Sequence, residues 1–120
     1  MKLLAAVIVL VAASAASAAT LPHLRTCAGA NLVKPTGVFT LSCADANAQL
    51  DHTTWKTWSA TSATGTTTFG LNLCVPYCAA SKMSFFAHST VKLDRVRHGR
   101  FTRVTVHYLL KGKTKVFVQN

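Results

Sequence analysis

Between Lys82 and Lys115, nine Lys and Arg residues are opposed by a single acid, Asp94. Cations at that density draw anions and repel cationic partners. The tightest group is Lys92, Arg95, Arg97, Arg100 and Arg103, interleaved with His98 and flanked by His88 and His107. Such groups on one short ribbon can neutralise the repeating charge of a polymer, because potentials overlap within a Debye length of about 8 Å. The whole chain carries the same bias. Thirteen Lys and Arg face three acids in 120 residues, a net charge of +10.

That composition argues against catalysis. Hydrolysis uses paired carboxylates, or a nucleophile with a base and an orienting group. The acids here are Asp45, Asp51 and Asp94, Glu is absent, and no G-x-S-x-G occurs. Asp51 and His52 adjoin, which on a regular strand sends them to opposite faces. His23, His52, His88, His98 and His107 show no H-x-x-x-H spacing. A pair such as His88 and His107 meeting across a hairpin is too small a ligand set for a metal. No cofactor is expected. Trp55 and Trp58 are too few for a sugar platform; one is expected in the core and the other at an edge or bulge.

Four cysteines, Cys27, Cys43, Cys74 and Cys78, imply two disulfides in a small exported chain. Three pairings are formally open. Cys27–Cys43 and Cys74–Cys78 each centre on a proline: Pro35 in Lys34-Pro35-Thr36-Gly37, and Pro76 in Cys74-Val75-Pro76-Tyr77-Cys78. A chain reversal there brings each pair together. The larger loop contributes roughly 3 kcal/mol by the chain-entropy argument. Zinc is the competing use, but C-x3-C lacks a second matching knuckle. The Cys74–Cys78 loop offers Val75 and Tyr77 as a rigid recognition tip.

The elements that must position these residues read as strands. The chain downstream of its leader is rich in Thr, Ser, Val and Phe, which suit a pleated surface. Alternating stretches run over 38–43, 53–58, 66–73, 84–93, 101–110 and 115–118, with turn formers at short intervals, including Ser62-Ala63-Thr64-Gly65. Only 47–51 suits a helical turn. The expected fold is all-β: a small antiparallel β-sandwich or barrel of about six or seven strands with two disulfides. Its core would be Phe39, Leu41, Trp55, Phe69, Leu71, Phe85, Val91, Leu93, Val104, Val106 and Tyr108. The short link 95–100 predicts a hairpin. Pairing apolar with apolar then sets Lys92, Arg103 and His107, with His88, on its outer surface.

Residues 1–18 read as a signal peptide: Lys2, an apolar run from Leu3 to Val11, and Ala16-Ser17-Ala18 as the cleavage signal. As an uncleaved anchor, Leu3 to Ala19 is barely long enough to span and is Ala- and Ser-rich in its second half. Residues 19–120 then form one secreted domain.

Cys43-Ala44-Asp45-Ala46-Asn47, Trp55-x-x-Trp58 and Cys74-Val75-Pro76-Tyr77-Cys78-Ala79 follow one another in that order. The series resembles a group of small secreted actinobacterial proteins with C-A-D-G-N, W-x-x-W and C-x-P-x-C-A. The chain departs from it at Ala46, where the pattern has Gly, and at Ser81, near a second Gly. The resemblance implies export, disulfides and a β fold, and it transfers no functional residues. Together these features predict a secreted, extracellular or cell-wall-associated protein without enzymatic activity. Its expected partner is an anionic polymer or surface (cell wall, glycan or nucleic acid) held by the basic hairpin. The alternative is an extracellular protein, such as a protease, engaged by the Cys74–Cys78 loop.

Overall fold

The computed structural model describes residues 20–120, so the leader expected over 1–18 lies outside the described residues. The described chain is all-β. Its strands are β1 (Leu24–Arg25), β2 (Asn31–Leu32), β3 (Phe39–Thr40), β4 (Ala48–Trp58), β5 (Ala63–Asn72), β6 (Met83–Arg97), β7 (Arg100–Leu110) and β8 (Lys113–Gln119). β1 and β2 form a small antiparallel pair. β3 to β8 form a six-stranded antiparallel meander in chain order. Both expected disulfides, Cys27–Cys43 and Cys74–Cys78, are present. Among the described residues no helix is long and apolar enough to cross a membrane.

Two local expectations need correction. The helical turn over 47–51 is instead the start of β4. Ala48 and Leu50 are both buried opposite Leu71 and Phe69, so the period there is two. The break placed at Ser62–Gly65 lies earlier, because Ser59 donates both its backbone N–H and its hydroxyl to the Ser62 carbonyl. Gly65 is strand rather than turn. A Cβ there would meet the Thr54 carbonyl at 2.5 Å, so glycine is what lets β4 approach so closely.

Bulges decide which side chains reach the core. Asp51 pairs with Thr68 and Thr54 with Thr66, so β4 has one extra residue around His52. A second extra residue lies between Trp55 and Thr57. β6 has its own between Phe86 and Ser89, near His88. His52 and His88 both have left-handed φ, 48° and 58°. The bulge at Lys56 brings both tryptophans to the inner side, where they pack edge to face at 4.9 Å. Both pack against the core, not one alone. The bulge in β6 overturns the expected burial of Phe85. The extra residue flips the alternation, so Phe86 turns inward against Tyr108 at 4.9 Å while Phe85 is 58% exposed. Buried hydroxyls satisfy the carbonyls that the bulges release: Thr67 donates to Asp51 O and Ser89 to Phe86 O.

Phe39, Leu41, Phe69, Val91, Leu93, Val104 and Val106 are buried as expected, joined by Leu24, Ala48, Leu50, Ala63 and Phe101. Trp55, Leu71 and Tyr108 are partly buried against them. The sheet rolls around this core. At one end its two edges meet, where the Gln119 side chain on β8 donates to the Leu41 carbonyl just beyond β3. The N-terminal segment is tied on by indole donors, Trp55 to Pro35 O and Trp58 to Pro22 O, each at 2.8 Å.

Candidate anion-binding surface

The β6–β7 hairpin has the predicted register. Val91 faces Val106 and Leu93 faces Val104, leaving Lys92 opposite Thr105 and Asp94 opposite Arg103 on the outer side. Arg97 pairs with Arg100, so His98-Gly99 is a two-residue turn. The φ values there, 52° and 73°, are both positive, as a type I′ turn requires. The turn is held from outside as well. The His23 N–H donates to Gly99 O, and the Phe101 N–H donates to His23 O, each at 3.0 Å. This laces the N-terminal segment along the start of β7.

The five cations singled out on this ribbon do not behave alike. Arg103 donates from Nε to Asp94 Oδ1 at 2.7 Å and from Nη2 to Oδ2, a two-pronged ion pair. The hydrogen bonds from Arg103 hold the Asp94 carboxyl below its ordinary value of 3.8. The charges of Arg103, Lys92 and Arg95 act the same way, against the opposing effect of burial. The same bonds raise the Arg103 pKa. The Arg103 guanidinium is therefore already engaged. Lys92, Arg95, Arg97 and Arg100 are exposed, and none of them has an ion-pair partner among the described residues.

The run of nine cations does not form one patch. Lys111, Lys113 and Lys115 lie at the β7–β8 turn, at the opposite end of β7 from Arg100. Eleven residues of β7 separate the two ends, a length of about 35 Å. His88 does not meet His107. Thr90 stands opposite His107, and β6 leaves β7 beyond that point. Among the described residues no three His, Cys, Asp or Glu side chains converge as a metal site would need. The bulge at His52 reverses the expectation for its neighbour, bringing Nδ1 to 3.2 Å from Asp51 Oδ2 on an open surface.

Two features were not legible in the sequence. Lys56, isolated along the chain, lines an outer groove of about 550 Å³ together with Lys92 and His107. The Cys74–Cys78 loop is pinned by Asn72. This side chain donates to Cys78 O at 2.8 Å and to Asn47 Oδ1 at 3.0 Å, and accepts from the Cys74 N–H at 2.9 Å. Asn47 and Asn72 carry no spacing signal linking them; only the pairing of β4 with β5 brings them together. Compared with protein families, with curated proteins and with solved structures, the chain finds no match.

Proposed function

We propose that the protein is an exported, non-catalytic module that binds an anionic polymer through the tip of the β6–β7 hairpin. One observation carries this reading. Arg95, Arg97 and Arg100 are exposed around a tight turn, and the one carboxylate in that hairpin, Asp94, is already taken by Arg103. Their charge is therefore directed at solvent rather than consumed within the fold. The bracing of Gly99 and Phe101 by His23 supports a rigid tip, which lowers the ordering cost of binding. Export agrees with two disulfides.

The test is retention of the wild type and of an Arg95→Ser/Arg97→Ser/Arg100→Ser variant on heparin, polyol-phosphate and nucleic-acid supports across a salt gradient. The variant is expected to elute earlier, with a salt slope shallower by about 2–3. Equal elution of both proteins on all three supports overturns the reading.

A second reading rests on the Cys74–Cys78 loop. Val75 is 72% and Tyr77 63% exposed on a short loop closed by a disulfide, the shape of a side-chain donor to a partner's cleft. Binding of that kind would be lost on Tyr77→Ala and be nearly indifferent to salt, which separates it from polyanion binding.

A further inference from the structure

We infer that the groove on the outer face of β4–β7 is a binding site for a flexible chain of polyols joined by phosphodiesters. This rests on the polyanion reading and adds to it the ligand class and a second set of residues.

Cross-strand registers lay out the site. One row runs Thr54, Thr66, Thr90 and His107; the next runs Thr57, Thr64, Lys92 and Thr105. Alternation turns these positions away from the buried Val91, Leu93, Val104 and Val106. The result is a threonine-lined groove whose exposed surface is mostly apolar and dotted with hydroxyls, with Lys56 on one side of β5 and Lys92 on the other. Their stems rise two strand spacings apart, about 10 Å.

The chemistry of the lining selects the ligand. It contains no Trp, Tyr or Phe and no carboxylate. The rings of Trp55, Trp58, Phe69 and Tyr108 pack on the inner side instead. Nucleic-acid bases and pyranose rings are recognised largely by stacking on aromatic side chains, and the groove has none to offer. Two ammonium groups can take non-bridging phosphodiester oxygens. A threonine hydroxyl both donates and accepts. Thr57 and Thr64 already bond each other at 2.6 Å, so Thr66 and Thr90 are the hydroxyls placed to meet phosphoryl oxygens and polyol hydroxyls. A chain with charges spaced by short, flexible, hydroxylated links fits both features.

The experiment measures affinity of the oxidised protein for lipid-free poly(glycerol phosphate), heparin and single-stranded DNA at matched ionic strength, with folding monitored by thermal melting. Poly(glycerol phosphate) is expected to bind tightest. Lys56→Gln/Lys92→Gln should weaken it by tenfold or more. Thr66→Val/Thr90→Val keeps the β-branched shape and the charge; it should weaken poly(glycerol phosphate) about tenfold and leave heparin unchanged. Thr66→Ser/Thr90→Ser should restore binding, which separates lost hydroxyls from a disturbed fold. Preference for DNA or heparin, or folded valine and glutamine variants that bind poly(glycerol phosphate) like the wild type, overturns the inference. If those variants bind normally while the Arg95/Arg97/Arg100 variant loses all three polymers, the groove fails and the hairpin-tip function stands. No wild-type binding to any of the three overturns both.

Discussion

β7 ends in a two-residue basic turn on each side, and the two turns differ in what stands behind them. His98-Gly99 and Lys111-Gly112 both have positive φ at both residues, and both carry flanking cations. The first is backed by buried Phe101, which packs edge to face on Trp58 at 5.3 Å, and by the backbone of His23. The second projects from a two-strand extension in which Leu109 is more than half exposed, as is Val116 at its base. Beyond Thr90, β6 no longer pairs with β7, so this end has β8 alone as its paired strand, although Tyr108 still packs on Phe86. Equal charge along the chain therefore gives unequal sites. Only the first turn offers its cations from a fixed frame.

The largest effect should come from removing the packing behind the first turn. Phe101→Ala is expected to cost about 3–5 kcal/mol. Phe117→Ala in β8, half-buried against Phe69, should cost about 1–2 kcal/mol because its ring already meets solvent. Urea denaturation gives both values. Hydrogen exchange should show the amides of 96–101 opening in the first variant and not in the second. Equal losses would mean the two ends are backed alike.

Glycine substitutions in the turns should show no such contrast. A Cβ at Gly99 would lie 3.8 Å from His23 Cε1, and one at Gly112 would meet nothing within 4 Å. Neither position is crowded, so Gly99→Ala and Gly112→Ala should each cost about 1–2 kcal/mol, the conformational cost of a left-handed L-residue. A much larger loss at Gly99 would show that the turn's fit against His23, rather than its φ, is what the glycine supplies.

The smallest effect concerns the ion pair on the hairpin shaft. Asp94 titrates below its ordinary value in the fold because Arg103 hydrogen-bonds the charged form. A lowered folded value means that the carboxylate's stabilisation is complete above about pH 4. It is lost as the pH falls through the lowered value. The wild type should lose stability through that acid window, whereas Asp94→Asn should be less stable at neutral pH and lack this part of the acid dependence. Denaturant midpoints between pH 2 and 7 measure it. The same variant frees Arg103, so heparin retention should rise slightly.

Most of the strand segments, and one of their pairings, are visible in local pattern. Alternation in 101–108 and 84–93 exposes a hairpin, and two prolines centre two disulfide loops. Where the pattern misleads, the cause is a bulge. Phe85 and Phe86 are adjacent and identical, so nothing local says which turns inward; the extra residue near His88 decides it. Trp55 and Trp58 would fall on opposite faces of a regular strand, and the bulge at Lys56 unites them. The candidate site divides in the same way. The tip arginines stand out by density, whereas Lys56 joins Lys92 only across β5.

The sequence by itself determined the all-β composition, the disulfide partners, the excess of cations and the register of the β6–β7 hairpin, because each depends on residues close together in the chain. Tertiary structure alone decided that Arg103 is engaged by Asp94 while Arg95, Arg97 and Arg100 are not, that the basic run divides between two ends of β7, and that scattered threonines and Lys56 share one face. Those outcomes depend on register across several strands, and one extra residue in a strand shifts every side chain beyond it to the other face.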